Sequence, residues 1–327
     1  MVSGSYMMAV KVVLKLIITA ALILAALRSV DLSQIRIDLE EFSIFVWCAS
    51  VVLLLGQFIF VRALRWNCIL GSIDHRLPVI KAMTFAWISQ FFNQVLPSSI
   101  GGDGMLIFLA RSEGVPLKLA IHSVIIDRII GTTALFALSA LALLFALPYA
   151  TDGMFLVAIV SLSTVGFLAG FNFPVIVDLA ETFLPARFSE MIRQFLKSVR
   201  GIWHGRRRLL ALIALCCIGH ISMATAALLV AKAFGLPAPF IPMILLLPGV
   251  FLFTIIPVSF GGWGVRETGM IILLSNTGMR PSDALAISVL YGLTELAVSA
   301  VGGIFWLLLQ RRSHVPSMEN IQQGRSQ

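Results

Sequence analysis

Long apolar stretches constrain the fold of this chain more than any other feature of its sequence. A helix needs about 20 apolar residues to cross the hydrocarbon core of a bilayer. Six stretches have roughly that length, at positions 12–27, 42–61, 119–147, 153–173, 209–231 and 283–310. Hydrophobic residues make up 59% of the chain, charged residues only 12%, and the mean hydropathy is +0.97, which excludes a soluble domain. Because backbone groups in lipid must be satisfied internally, the sequence predicts an all-α, polytopic integral membrane protein with six full transmembrane helices.

The basic residues indicate which ends of these helices face the cytoplasm, because cytoplasmic loops of membrane proteins collect Lys and Arg. Three regions hold most of them: Arg62, Arg65, Arg76 and Lys81; then Arg187, Arg193, Lys197, Arg200, Arg206, Arg207 and Arg208; and finally Arg311 and Arg312. Placing these regions inside predicts a multi-pass protein of the cell (inner) membrane with both termini in the cytoplasm. The formal net charge of +8 then reflects loop positions, and a nucleic-acid partner is not indicated.

A further apolar stretch, 79–114, is interrupted near its middle by Pro, Ser and Gly. The predicted orientation places Lys81 near its start on the same side as Arg111 and Lys118 near its end. The stretch must then enter and leave the membrane on one face, which predicts a re-entrant helical hairpin with its turn at 96–104. Non-helical backbone at membrane depth is tolerated only where protein buries it or water reaches it, so this turn should line a cavity.

A second interrupted stretch, 240–277, repeats this turn. The segments PSSIGGDG and PVSFGGWG, 160 positions apart, share the pattern P-x-S-[I/F]-G-G-x-G. The shared positions are Pro97, Ser99, Gly101, Gly102 and Gly104 in the first copy and Pro257, Ser259, Gly261, Gly262 and Gly264 in the second. Each half of the chain then reads helix, helix, hairpin, helix, and contains an odd number of full crossings. The second half is therefore predicted to be inverted in the membrane, a layout that many transporters share.

This pattern predicts three parts of the chain. Residues 1–150 form the first membrane repeat, residues 151–312 form the second, inverted repeat, and residues 313–327 form a disordered cytoplasmic tail. The alternative is that both motifs are kinks in ordinary transmembrane spans.

Six ionisable residues fall inside the apolar stretches: Asp103, Asp127, Arg128, Arg266, Glu267 and Glu295. Each isolated charge would cost about 2.5 to 3.5 kcal/mol on insertion scales, so these side chains must be paired, hydrated or neutralised. We therefore predict a polar interior between the two repeats, with these six residues in substrate binding or ion coupling. The carboxylates could pair with the arginines, bind a cationic headgroup such as that of an aminoacylated lipid, or carry protons.

Each hairpin should also present the start of its second helix to the membrane interior, near Gly104 and Gly264. Free N–H groups at such a helix end attract anions, and Arg128 and Arg266 would add guanidinium groups suited to phosphate. A phospholipid or polyprenyl-phosphate headgroup is therefore favoured over a neutral sugar. The four cysteines and five histidines are scattered without metal-ligand spacing, so neither a metal site nor a cofactor is expected.

Residues 178–208 contain an amphipathic segment. Between Arg187 and Trp203 the apolar residues follow helical spacing, opposite Arg193, Lys197 and Arg200. This pattern is typical of a helix on the anionic inner leaflet, and equally of a cytoplasmic helix packed on the protein's own loops.

The segments LPSSIGGDG with SVIIDRIIG, and IPVSFGGWGVRE with ALAISVLYGLTELAVSAVGG, resemble the transmembrane region of the lysylphosphatidylglycerol synthase family, also called flippase-like or uncharacterised protein family 0104. The resemblance implies a lipid-handling membrane domain. Some relatives translocate aminoacylated phosphatidylglycerol, and others work beside hopanoid or polyprenyl-glycolipid pathways. Full-length synthases add a soluble aminoacyl-transferase domain after the membrane part, so we expect that this chain is not the synthase by itself. Relatives often carry a basic residue where this sequence has Leu106, and Arg111 could partly replace it.

Three functional hypotheses follow. The leading one is a translocator that moves an anionic or aminoacylated phospholipid, or a polyprenyl-linked glycolipid, between leaflets through a midplane site, without catalysis. The second is an intramembrane lipid-modifying enzyme in which Asp103, Asp127 or Glu267 acts as general base. The third is an accessory subunit that docks on a lipid- or glycan-synthesis enzyme through its basic loops.

Overall fold

A computed structural model of the chain describes residues 2–31, 33, 40–96, 101–181, 186–255 and 258–312. Across these residues the regular structure is entirely helical, which confirms the all-α prediction. The helices are α1 Val2–Arg28, α2 Ile44–Leu55, α3 Arg62–Ser72, α4 Val79–Val95, α5 Gly101–Ser112, α6 Leu117–Ala146, α7 Gly153–Phe171, α8 Phe173–Glu181, α9 Ala186–Trp203, α10 Arg206–Ala233, α11 Phe240–Phe253, α12 Val265–Ser275 and α13 Pro281–Arg312. A π-helical turn, Gly56–Val61, joins α2 to α3 without a break.

Five helical runs are long and apolar enough to cross a membrane: Ile44–Ser72, Leu117–Tyr149, Gly153–Phe171, Arg206–Ala233 and Pro281–Leu309. The protein is therefore a multi-pass membrane protein. The apolar part of α1 identified in the same way is shorter, Leu16–Arg28, so a sixth full crossing stays a prediction.

The first of these runs corrects the placement of two basic residues. Arg62 and Arg65 were counted among the residues of a cytoplasmic loop, because the apolar stretch 42–61 ends just before them. The helix instead continues to Ser72, and both side chains are almost buried, with exposures of 12% and 11%. They lie inside the helical bundle, where other residues pair with them.

Helices α4 and α5 form an antiparallel hairpin. At its open end, Lys81 Nζ lies 2.5 Å from Glu113 Oε2, joining the start of α4 to the residue just after α5. Near the turn, the Ser89 hydroxyl donates to the Gly102 carbonyl at 2.8 Å. A Cβ at Gly102 would lie 2.1 Å from the carbonyl oxygen of Ser89, so this close approach requires glycine. The helical hairpin is thus present, and its re-entry into one face of the membrane stays a prediction.

Helices α11 and α12 form the second hairpin. Its tip contains three glycines with a positive φ, Gly261, Gly262 and Gly264, at +53°, +81° and +83°. Glycine adopts this left-handed backbone region without the steric cost of a Cβ. Helix α1 supports this tip, because the Thr19 hydroxyl accepts a hydrogen bond from the Phe260 N–H at 3.0 Å. Of the predicted turn residues, Pro97, Ser99 and Pro257 lie outside the described part of the chain.

The two halves of the chain pack on each other reciprocally. The last helix of the second half, α13, lies along α4, where Trp87 Nε1 donates to the Val298 carbonyl at 3.1 Å. The last helix of the first half, α6, lies in the same way along α11, with Gly249 facing Leu143. Equivalent elements of the two halves therefore have equivalent packing partners. The inverted orientation of the second unit stays a prediction.

The amphipathic helix α9 packs on the protein itself. Val199 and Ile202 are fully buried in a cluster with Ile69 of α3, Ile130 of α6 and Leu212 of α10. The tryptophan at its end, Trp203, donates through Nε1 to the Phe171 carbonyl at 3.0 Å. The structure therefore supports the second of the two interpretations, a helix packed on the protein, rather than one whose apolar face lies in the leaflet.

Candidate functional site

A cavity of about 290 Å³, the central cavity, lies between the tips of the two hairpins. The end of α4 contributes Asn93 and Gln94, and the second tip contributes Thr254, Gly261 and Gly262. Its ionisable lining consists of three arginines and three carboxylates, together with one histidine: Arg62, Arg65, Arg128, Asp103, Asp127, Glu295 and His220. The cavity therefore carries balanced charge and is walled by both halves of the chain.

Asp127 and Arg65 form a forked ion pair on one wall. Arg65 Nε and Nη2 donate to the two carboxylate oxygens of Asp127 at 2.5 and 2.7 Å. This bidentate geometry matches the planar guanidinium to the planar carboxylate. The partners come from α3 and α6, so the pair also joins two helices of the first half.

Asp103 forms ion pairs with two further arginines. Arg128 Nε donates to one of its oxygens, and Arg62 Nη2 lies 3.7 Å from the other. Asp103 is only 6% exposed, whereas the Arg128 side chain is 43% exposed. One half-exposed guanidinium therefore stands at the edge of the cavity, held by a buried carboxylate.

Arg266 and Glu267 lie behind the cavity wall in a fully buried cluster. Arg266 Nη2 donates to Glu267 at 2.8 Å and Nε donates to the Ser288 hydroxyl at 3.2 Å. Its guanidinium carbon also lies 4.8 Å from the Trp263 ring centroid, a cation–π contact. A Cβ at Gly292 would lie 2.0 Å from Arg266 Nη2, so glycine makes room for the guanidinium.

Gln90 connects the two groups of charges. Its Oε1 accepts from Arg62 Nη1 at 2.8 Å, and its Nε2 donates to Glu295 Oε1 at 3.3 Å. Glu295 in turn accepts from Arg266 Nη1 at 3.4 Å. A continuous polar network thus runs from Arg128 in the first half to Glu267 in the second.

Comparison with known families adds an independent observation to this geometry. A family described as Lysylphosphatidylglycerol synthase TM region matches residues 12–303, nearly the whole chain. The chain belongs to this family. The match confirms the resemblance carried by the two Gly-Gly motifs, and it points to a lipid-related function in the membrane. A comparison with curated proteins found no match.

In this member of the lysylphosphatidylglycerol synthase TM region family, the predicted site residues divide into two sets. Asp103, Asp127, Arg128 and Glu295 line the central cavity, together with the turn residues Gly261 and Gly262. The remaining described ones, Arg266, Glu267, Gly101, Gly102, Gly104, Ser259 and Gly264, do not line it. All six charged side chains have a partner of opposite charge, which corresponds to the first of the alternatives left open for the carboxylates, although Asp127 pairs with Arg65 and not with Arg128 or Arg266.

The helix ends of this family member differ from the expected open anion sites. The Gly264 N–H donates to the carboxylate of Glu267 at 2.5 Å, so the chain's own anion occupies the start of α12. At the start of α5, the Gly102 N–H donates to Asn93 Oδ1 at 3.0 Å. Neither of these two N–H groups is free, unlike the open helix ends that the sequence predicts, and binding of a substrate anion there stays a prediction.

Two acceptor atoms in the cavity wall have no hydrogen-bond partner within the described residues. They are Gln57 Oε1, in the π-helical turn, and His220 Nδ1, in α10. His220 Nε2 lies 3.3 Å from the Gly131 carbonyl, so Nε2 carries the proton and Nδ1 is an acceptor. Both atoms are closed to solvent, and Gln57 Oε1 points toward Gly219 of α10, where an added Cβ would lie 2.5 Å from it, so neither atom faces the open space of the cavity.

The sequence does not reveal several of the cavity residues. Its basic residues predict a loop at Arg62 and Arg65, and no pattern distinguishes Gln57, Gln90 and His220 from other polar residues. Arg65 stands three positions after Arg62, a spacing that puts both on one helix face, and this was the available signal. Within the described residues, no group of three His, Cys, Asp or Glu side chains could hold a metal ion.

Proposed function

We propose that this protein is a lipid translocator that moves a phosphate-bearing lipid between leaflets by passing its headgroup through the central cavity. The observation that carries the proposal is the cavity itself, which is walled by both halves of a lipid-related membrane protein and lined by three arginines and three carboxylates. A lipid headgroup is the polar part of the molecule that cannot cross hydrocarbon unaided, and balanced charges offer it replacement partners.

The lining favours a headgroup that carries both an anion and hydrogen-bond donors. The half-exposed Arg128 suits a phosphate, since guanidinium groups match phosphate oxygens. The carboxylates Asp103, Asp127 and Glu295 in the lining suit a hydroxyl or ammonium group, which can donate hydrogen bonds to them. An anionic or aminoacylated phospholipid meets both conditions, and a polyprenyl-linked glycolipid meets them through its sugar hydroxyls.

We further propose that the protein acts without changing covalent bonds of the lipid, in the inner membrane and with both termini in the cytoplasm. A general base needs a carboxylate free to reach a bound nucleophile. Asp103, Asp127 and Glu295 are each engaged by an arginine, which favours binding over acid–base chemistry. An enzyme of lipid or glycan synthesis remains a proposed partner.

The test is lipid movement in reconstituted vesicles. Purified protein should speed the transfer of headgroup-labelled phosphatidylglycerol between leaflets, measured by quenching from outside with an impermeant reductant. Arg128→Gln should lower the rate at least tenfold, whereas the matched control Arg200→Gln, which removes an exposed arginine that does not line the cavity, should leave it unchanged.

Two results would contradict the proposal. One is that the protein transfers none of three lipids faster than protein-free vesicles do. The three lipids are phosphatidylglycerol, its lysyl ester and a polyprenyl-phosphate sugar. The other is chemical conversion of the labelled headgroup by the purified protein, which would favour the intramembrane enzyme instead.

A further inference from the structure

A second hollow, the α6–α7 groove, lies beside the central cavity and has a volume of about 370 Å³. Helices α6, α7 and α8 form its walls, mostly with carbon: Ile129, Phe136, Ala169, Phe173 and Ile176 are among the lining residues. This groove is apolar, whereas the central cavity is charged.

The two hollows share a boundary. Arg128 and Thr132, one turn apart on α6, line both the central cavity and the groove. A polar compartment and an apolar compartment therefore meet at one half-exposed arginine, which Asp103 holds in place.

Two glycines of α7 let this helix pack closely against side chains of α6 at the groove. A Cβ at Gly170 would lie 2.0 Å from Thr133 Oγ1, and a Cβ at Gly166 would lie 2.8 Å from the Phe136 ring. Helices α6 and α7 are therefore in direct contact along the floor. Ala169, between these two glycines, lines the groove, and its small side chain is exposed.

We propose that the α6–α7 groove holds a hydrocarbon chain of the same phospholipid whose phosphate lies at Arg128. This inference rests on the proposed function and adds to it where the apolar part of the substrate lies. In a phospholipid the phosphate is joined through a short glycerol bridge to its chains, so a site for the whole molecule needs a charged compartment next to an apolar one. The boundary at Arg128 and Thr132 supplies that arrangement, and the positive charge at its edge fits the phosphate.

The test fills the groove without touching the cavity. Ala169→Trp places a large side chain in the groove, and Leu168→Trp, on the adjacent exposed position that does not line it, is the matched control. Binding of dioleoyl-phosphatidylglycerol and of its water-soluble dihexanoyl analogue to purified protein in micelles is measured by titration with radiolabelled lipid. Thermal unfolding of each variant checks that the fold is intact.

We expect Ala169→Trp to weaken dioleoyl binding about tenfold, as loss of a few buried methylenes would do, and to leave dihexanoyl binding unchanged. Leu168→Trp should change neither, and Arg128→Gln should weaken both. Ile176→Ser, at the α8 wall, serves as a second groove variant should Ala169→Trp unfold.

Two outcomes overturn the inference, and they are distinguishable. If wild-type protein binds both lipids and neither groove variant weakens dioleoyl binding, the chain lies elsewhere, while the proposed function stands. If wild-type protein binds neither lipid, and also neither the lysyl ester nor a polyprenyl-phosphate sugar, the proposed function itself fails and the inference fails with it.

Discussion

Two ion pairs in this protein have the same nitrogen–oxygen distance of 2.5 Å and very different surroundings. Arg65 and Asp127 are 11% and 9% exposed, whereas Arg200 and Asp178 are 50% and 39% exposed. A buried charge that loses its partner is left uncompensated in a medium of low dielectric constant, and an exposed one is rehydrated. The two pairs therefore separate the effect of burial from the effect of distance.

We predict that Asp127→Asn lowers the free energy of unfolding by about 3 kcal/mol, because it leaves the Arg65 charge without its partner. The control, Asp178→Asn, should lower it by less than about 1 kcal/mol. Denaturant unfolding of purified protein in micelles measures both. Equal effects of the two changes would contradict the assignment of Asp127 as the buried partner of Arg65.

The sequence indicated the charged cavity through residues that stand out against an apolar background, such as Asp127 and Glu295. It did not indicate their partners. Arg65 lies 62 positions before Asp127 and was counted as a loop residue, because a run of basic residues normally marks the membrane edge. The sequence does not indicate Gln57 and His220 for a different reason. Single polar residues in apolar helices often pack without function, and only the structure shows that these two lie in the wall of the cavity.

At the scale of elements, the two hairpins were predicted from charge distribution and from the repeated Gly-Gly motif. Their antiparallel arms are observed, and the Lys81–Glu113 ion pair brings the open ends of the first hairpin together. The extents of the long helices were underestimated, since hydropathy marks the apolar core of a helix and not its polar ends. Helix α3 is the clearest case, with arginines in its first turn that pack inside the bundle.

The re-entrant arrangement makes a labelling prediction. In a cysteine-free background, single cysteines at Arg76, Arg111 and Lys118 should all react with an impermeant thiol reagent from the cytoplasmic side, because the hairpin returns to the face it left. Arg280→Cys, in the connection between α12 and α13, should react only from the opposite side. Labelling of Arg76→Cys and Arg111→Cys from different sides would make the hairpin an ordinary pair of crossings.

The packing of α9 makes a second prediction at this scale. Ile202→Ala should lower the free energy of unfolding by about 3 kcal/mol, because its side chain is fully buried between helices. Lys197→Ala, on the exposed side of the same helix, should change it by less than about 0.5 kcal/mol. The opposite pattern would favour the leaflet-bound helix. In that pattern the Ile202→Ala variant is as stable as the wild type, and the Lys197→Ala variant no longer binds anionic vesicles through α9.

At the scale of the molecule, the two hairpin tips meet across the central cavity. A Cβ at Gly261 would lie 3.3 Å from the Gln94 carbonyl oxygen, so the second tip touches the end of α4. Movement of one half against the other, which the proposed translocation requires, has to separate this contact.

We therefore predict that cysteines at Gln94 and Gly261 form a disulfide on mild oxidation, and that the cross-link stops lipid transfer in vesicles. Reduction should restore the rate. The single variants Gln94→Cys and Gly261→Cys are the controls, since each carries the local strain without the bond. Transfer that continues in fully cross-linked protein would show that the tips need not part.

The reciprocal packing of α4 on α13 and of α6 on α11 was not predictable from the motifs alone. The repeated sequence predicts that two units are alike, but it does not specify how they dock. That depends on surface shape, such as Gly302 against the Trp87 backbone, where a Cβ would lie 2.4 Å from the carbonyl oxygen. This fit between helix surfaces can be recognised only in the structure, where segments that are far apart in the sequence lie together.

The π-helical turn Gly56–Val61 has a consequence for the two arginines that follow it. Such a turn holds one residue more than the α-helical path and shifts the azimuth of everything downstream by about 100°. Removing a single residue there would rotate Arg62 and Arg65 by about 100° around the helix axis, away from Asp103 and Asp127. Each guanidinium that lost its carboxylate in this way would cost about 2.5 to 3.5 kcal/mol at the centre of a membrane helix, so the extra residue sets the rotation at which both charges are paired.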